Sequence, residues 1–414
     1  VLNVLAQKEA LGLFDHWHTD PGAFPGAGDP AHVEAAHAAA LQSMVLLENR
    51  HDLLPLDPAA LSTVAVIGPL ADEPAEQMGT WVFDGDPGLS RTPLNALRER
   101  LGSEVEVRHT RALHMTWSTD TSGFAEAVEN ARTADVAILF LGEEAILSGE
   151  AHCRADIRLP GVQEELIAGI RETGTPVVLV IMAGRPLALQ GVTDQVESLL
   201  YAWHAGSMAG PAITELLLGD VVPSGKLPVT FPRVTGQIPI YSAQKNTGKP
   251  VDPGTFIHLE NVDPGTPQLS VGNTSFHMDV HYSPMYPLGH GLSYTTFEYG
   301  AVTCSQHTVP MGGEVNIIAE VKNTGSREAE EVVQLYVRDL VGSVTRPVRE
   351  LKGFQRVRLA PGERREVTFR LTTDDLAFHG RDMRLAAESG QFHAWVGGSS
   401  EAQHGTEFEV VPHG

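Results

Sequence analysis

The sequence predicts an α/β domain on a mostly parallel sheet, followed by an all-β sandwich of immunoglobulin or fibronectin type. Three observations predict it. Between residues 32 and 240, short wholly apolar runs alternate with segments of helical spacing. Strands covered on both faces by crossover helices read this way. From residue 295 onward, short segments alternate apolar with polar residues between turn signals, which suits a sandwich. The chain has 414 residues, 42% of them hydrophobic, so a sizeable core can form.

Residues 1–14 form an amphipathic stretch ending at Gly12-Leu13-Phe14. It is either an ordinary first helix or part of a larger polypeptide that has been cut; neither an initiator Met nor a leader pattern precedes it. Residues 15–31, rich in Pro, Gly, Asp and His, read as a linker. Residues 31–49 carry Val33, Ala36, Ala40, Leu41, Met44, Val45 and Leu47 at helical spacing, which predicts one helix. Thr63-Val64-Ala65-Val66-Ile67 is a buried strand stopped by Gly68-Pro69. Val105-Glu106-Val107 is a short strand, 124–134 a helix, and 136–142 a second buried strand. Residues 162–172 are helical, 177–181 and 198–203 are strands, and 211–218 is a helix closed by Gly219. Residues 241–294 lose all periodicity and read as a linker with an inserted loop. In the sandwich, residues 315–321, 332–337, 350–357, 366–371 and 391–396 are strands. The expected domains are therefore 1–31, 32–240, 241–294 and 295–414.

Charge narrows the function classes. Asp and Glu number 52 against 29 Lys and Arg, a net charge of −23. Such a chain repels phosphate backbones and anionic lipid, so neither nucleic acid nor a membrane is expected as partner. No run of about 18 apolar residues suggests a transmembrane helix. Two cysteines, Cys153 and Cys304, make neither a disulfide framework nor a zinc site. The nucleotide-binding glycine patterns are missing. Ala205-Gly206-Ser207-Met208-Ala209-Gly210 has the wrong spacing for a nucleophile elbow and reads as close helix–strand packing. No metal is expected.

In open α/β sheets ligands bind beyond the carboxyl ends of the strands. The richest such segment follows the second buried strand: Gly142-Glu143-Glu144-Ala145-Ile146-Leu147-Ser148-Gly149-Glu150-Ala151-His152-Cys153-Arg154-Ala155-Asp156. A carboxylic acid here can protonate a leaving group. A solvated acidic loop is the alternative on so acidic a chain. Trp81 and Phe83, after the first strand, are a sugar-stacking platform or core aromatics.

At this point the chain resembles the C-terminal part of glycoside hydrolase family 3. The resemblance rests on Ser43-Met44-Val45-Leu46-Leu47-Glu48-Asn49, Val66-Ile67-Gly68-Pro69-Leu70-Ala71-Asp72 and Met78-Gly79-Thr80-Trp81. It continues in Glu150-Ala151-His152-Cys153-Arg154-Ala155-Asp156-Ile157 leading to Leu159-Pro160-Gly161-Val162-Gln163, and in the block Pro223-Ser224-Gly225-Lys226-Leu227-Pro228-Val229-Thr230-Phe231-Pro232. Tyr286-Pro287-Leu288-Gly289-His290-Gly291-Leu292-Ser293-Tyr294 and Arg346-Pro347-Val348-Arg349-Glu350-Leu351-Lys352-Gly353-Phe354 complete it.

The resemblance implies a retaining β-glucosidase acting on terminal non-reducing β-D-glucosyl residues, without cofactors. It implies a preceding (β/α)₈-type barrel, absent from these residues, that supplies an Asp nucleophile. Glu150 aligns with the acid/base, Glu143 and Glu144 with structural positions, and Trp81, Phe83 and Arg154 with substrate contacts. The expected partners are an oligosaccharide and the barrel; a homodimer is left open. A periplasmic or secreted location is favoured over a cytoplasmic one. A family β-xylosidase or N-acetylglucosaminidase is the rival within the class, the latter disfavoured by the Glu150 loop. A non-catalytic carbohydrate-binding or scaffolding module is the rival outside it. Residues 250–282, with Phe256, Phe276, His277 and His281, match no motif of the family; they reach over a neighbouring site or form a surface loop.

Overall fold

The computed structural model describes residues 1–267 and 274–412. Helix α1 (Leu2–Ala10) buries none of its residues, and Leu2, Leu11, Trp17 and Phe24 stand exposed around it and the segment after it. Helix α2 (Pro30–Ser43) starts where Asp29 accepts a hydrogen bond from Ala31 N at 3.0 Å and Pro30 takes the first position. Both features favour a helix start, because the first backbone N–H groups have no partner within the helix.

The α/β domain follows. Its elements are β1 (Val45–Asn49), β2 (Thr63–Ile67), α3 (Pro93–Leu101), β3 (Glu106–Thr110), α4 (Phe124–Arg132), β4 (Val136–Gly142), α5 (Gln163–Arg171), β5 (Val177–Met182), β6 (Ser198–Tyr201) and α6 (Ala209–Leu218). The sheet order is β1-β6-β5-β4-β2-β3, with β1 antiparallel to β6 and the other neighbours parallel. Alternate residues of each strand feed two cores. Ile67, Leu139, Leu141, Leu179 and Ile181 meet α4 and α5, while Val66, Ile138, Phe140, Val178 and Val180 meet α2, α3 and α6. Every residue of β4 and β5 is buried. Each fully buried large apolar side chain stabilises the fold by about 1.5–3 kcal/mol.

The single helix expected over 31–49 is corrected. It ends at Ser43, and Val45–Asn49 is a strand paired with β6. The physical reason is burial: Met44, Val45, Leu46 and Leu47 are all at most 1% exposed, so this run is covered on both sides. Helical spacing with one apolar face cannot accommodate four consecutive buried residues. Helix α3 was not foreseen, although Pro93 opens it and Gly102 closes it.

The segment read as a linker returns to the α/β domain before it leaves. Tyr286 bridges Phe231, lies in the α4/α5 core and donates its hydroxyl to Glu48 Oε1 at 2.7 Å. Leu292 N donates to Leu46 O at 2.8 Å. Within 250–282, Phe256 gathers Phe276, His281 and Tyr282 at centroid distances of 5.4, 5.0 and 5.4 Å; residues 268–273 of that segment lie outside the described residues.

The remainder is a β-sandwich. Its strands are β7 (Phe297–Cys304), β8 (Thr308–Pro310), β9 (Glu314–Asn323), β10 (Ala329–Asp339), β11 (Glu350–Leu359), β12 (Arg364–Thr372), β13 (Phe378–His379), β14 (Leu385–Ala386), β15 (Gly390–Gly397) and β16 (Gly405–Val411). A five-stranded sheet, β11-β10-β15-β16-β8, faces a three-stranded sheet, β12-β9-β7. Val315, Ile317, Ala319 and Val321 point inward against Val333, Leu335, Val337, Phe392 and Val396, as the two-residue period requires. Two contacts tie the sandwich to the α/β domain. Lys226 Nζ pairs with the buried Glu331 at 3.1 Å, and Arg356 Nη2 donates to Ser224 Oγ at 2.9 Å.

Candidate active site

After β2 the chain crosses to β3 on one side of the sheet, then returns to β4 on the other side of β2. That reversal makes the carboxyl ends of β2 and β4 a topological switch point, the place where such sheets bind ligands. The long loop after β4 rises there, and its base is built from buried polar groups. Gly142 has φ +138°, and a Cβ on it would lie 1.9 Å from Met182 O, so only glycine fits between β4 and β5. Gln163, wholly buried at the start of α5, closes the loop. Its Oε1 accepts from Gly142 N at 2.8 Å, and its Nε2 donates to Gly142 O at 2.9 Å and to Pro160 O at 3.1 Å.

The next two carboxylates are structural. Glu143 has no exposed surface; its oxygens are divided between Arg154 Nη1 and Arg185 Nε, the latter at 3.0 Å. Glu144 accepts from Thr116 N at 2.7 Å and from the Thr116 hydroxyl. Glu76 accepts from Ala145 N at 2.7 Å, and the Thr80 hydroxyl sits against the carbonyls of Ala145 and Ser148, the second at 2.8 Å. Burial pushes the His204 imidazole below its usual range. Its Nε2 therefore carries the hydrogen toward the Glu143 carbonyl, 3.0 Å away, since a carbonyl can only accept.

The tip contrasts with this base. Gly149 (φ +114°) and Ala151 (φ +64°), both at positive φ, bracket Glu150. Glu150, Ala151, His152 and Cys153 are exposed. Among the described residues the Glu150 carboxyl makes no hydrogen bond or ion pair. Trp81 and Phe83 are 60% and 85% exposed, with ring centroids 6.1 Å apart in an edge-on pair. They follow Thr80, which touches the loop, so the aromatic pair and the tip share one end of the sheet; neither ring is part of the core. Arg154 lies beneath the tip, with its guanidinium on Glu143 and its side chain 18% exposed. Asp156 binds Arg158 and accepts from the Thr235 hydroxyl at 3.0 Å; the Arg158 hydrogen bonds hold its carboxyl down to about 2.

Sequence reasoning assigned no role to Thr80, Arg185 or His204. Arg185 and His204 stand just beyond a strand end, which is the one signal that could have singled them out.

Residues 44–294 match the model of the glycosyl hydrolase family 3 C-terminal domain, and residues 331–400 match the fibronectin type III-like domain. The chain is 36% identical to a periplasmic β-glucosidase of Salmonella typhimurium, over 99% of this chain and 55% of that protein. It is 35% identical to a β-xylosidase of Formosa agariphila, over 96% of this chain and 53% of that protein. The crystal structure of a β-glucosidase from Listeria innocua in complex with isofagomine superposes with a TM-score of 0.87 at 33% identity, over 99% of this chain and 54% of that one. The chain thus spans about half the length of the relatives it matches. With a family-specific α/β domain and a fibronectin type III-like sandwich in that order, the chain belongs to glycoside hydrolase family 3.

Proposed function

We propose that the chain is the acid/base-bearing part of a retaining β-glucosidase that removes terminal non-reducing β-D-glucosyl residues from oligosaccharides. The observation that carries this reading is the exposed, unpartnered Glu150 carboxyl, raised on a braced loop at the sheet's switch point. Glu150 protonates the glycosidic oxygen as its bond to the anomeric carbon breaks. It then takes a proton from the water that releases the glucosyl group. The nucleophilic carboxylate comes from a barrel outside these residues, about 5–5.5 Å from the Glu150 carboxyl in the closed site. Exposed apolar side chains support such a cover: Leu2, Leu11, Trp17, Phe24, Trp81, Phe83 and Ile146 all face solvent. Trp81 and Phe83 would wall the leaving group's side.

A β-xylosidase is the second reading, favoured by the 35% identity to the Formosa agariphila enzyme. The same acid/base half serves either sugar, and parallel assays on aryl glucoside and aryl xyloside decide between them.

Glu150→Gln in the barrel-containing enzyme tests the assignment. The expected outcome is a loss in kcat/KM of roughly 10²–10⁴-fold on phenyl β-D-glucoside, whose leaving group needs protonation. The 2,4-dinitrophenyl glucoside, whose leaving group does not, should be largely spared. Thermal stability should stay put, because among the described residues the carboxyl makes no hydrogen bond or ion pair. Equal turnover of both substrates by variant and parent would remove Glu150 from the mechanism.

A further inference from the structure

We propose that Arg185 is the positioning residue for Glu150, an inference that rests on the acid/base reading above. Arg185 stands in the Ala183-Gly184-Arg185-Pro186 turn after β5, 33 residues from the loop residue it grips. Its Nη2 alone donates to both carbonyls that flank the tip: Leu147 O on the rising limb and His152 O, at 2.9 Å, on the descending limb. One nitrogen with two hydrogens therefore forms the neck of a closed noose holding Ser148 to Ala151. Inside it, His152 N donates to Gly149 O at 3.2 Å.

The neck is itself fixed. Arg185 Nε pairs with the buried Glu143 at 3.0 Å, and Arg154, eleven residues beyond Glu143, takes the carboxylate's other oxygen. The Tyr201 hydroxyl donates to Arg185 O. A Cβ on Gly184 would lie 2.3 Å from Ser148 Oγ, so the turn presses against the loop. The planar guanidinium explains the residue type. Its fork holds a carboxylate through Nε and two carbonyls through Nη2 at once, which the single ammonium of lysine does not match.

An acid that moves with its loop delivers its proton to the wrong place. Arg185 thus sets how well Glu150 meets the glycosidic oxygen, without touching substrate. A residue that only stabilised the fold would affect all substrates alike. A positioning residue penalises those that need the acid.

The test is Arg185→Lys in the barrel-containing enzyme, with kcat/KM on phenyl and 2,4-dinitrophenyl β-D-glucosides and a thermal melt. Misplacing a catalytic group by about 1 Å costs ~100-fold, so a loss near that size is expected on the phenyl glucoside and less than about threefold on the dinitrophenyl glucoside. Equal losses on both substrates, or no loss on either, overturn the proposal. If Arg185→Lys does not fold, Arg154→Lys, which loosens Glu143 from its other side, is read by the same ratio. Glu150→Gln run in parallel separates the two readings. A leaving-group split there with none in the lysine variants overturns the positioning role alone. No split in Glu150→Gln overturns the acid/base assignment and this proposal with it.

Discussion

In the α/β domain a carboxylate with no exposed surface, Glu143, sits between two guanidinium groups at the sheet's carboxyl edge. In the sandwich, pairs such as Arg364–Glu320 and Arg370–Glu314 lie across neighbouring strands on the solvent face, each partner about half exposed or more. The two regions use the same chemistry to different ends. Water screens the sandwich pairs, so they contribute mainly solubility and a charged strand surface. Water cannot reach Glu143, so its charge must be satisfied by its neighbours, and they are thereby fixed in place. Seven residues further on, Glu150 has the same carboxyl in water and no partner. Burial separates the carboxylate that organises the loop from the one the loop presents.

The sharpest way to break this comparison is Glu143→Ala. It leaves Arg154 and Arg185 beneath the surface without their counter-charge, and breaking a buried pair from one side costs about 3–5 kcal/mol. Urea unfolding of the α/β transition measures it; a loss under 1 kcal/mol would mean that solvent reaches the site. Asp156 lies between the extremes, half exposed yet bound to Arg158. Its folded value near 2 is depressed from 3.8, so its stabilisation is full above about pH 4 and fades as the pH falls toward 2. After screening, that contribution is below about 1 kcal/mol. Acid titration of Asp156→Asn against the parent should show the two stability curves converging as the pH falls to about 2. Arg364→Ala should matter least, about 0.5 kcal/mol or less, and its effect should vanish in 1 M salt. A cost for Arg364 equal to that of Glu143 would erase the distinction between the regions.

Much of this was legible in the sequence, and the reasons are local. Runs such as Val136-Ala137-Ile138-Leu139-Phe140-Leu141 can only be doubly covered strands. The rule that ligands gather at strand ends singled out the loop carrying Glu150, although its acid/base role came from resemblance rather than from spacing. The misread elements are those where tertiary burial overrode the local pattern. Val45–Asn49 carries helical spacing but completes a sheet edge, and Pro93–Leu101 has good end signals in a stretch otherwise read as loop. Arg185 carried one weak signal in the sequence, its place just beyond the end of β5. An arginine after a strand is unremarkable until the fold brings it to two carbonyls five residues apart on another loop.

The return of residues 286–292 to β1 has a consequence for synthesis. The Glu48–Tyr286 hydrogen bond joins residues 238 positions apart, and Leu292 pairs with Leu46 beside it. At roughly 5–20 residues per second, a ribosome needs about 10–50 s to deliver the second partner after the first has emerged. Through that interval the outer edge of β1 stands unpaired beside a run of leucines. Holding factors are most needed during that wait. A version of the α/β domain cut at residue 240, where helical periodicity ends, would keep that edge open permanently, whereas one carried through residue 294 would close it.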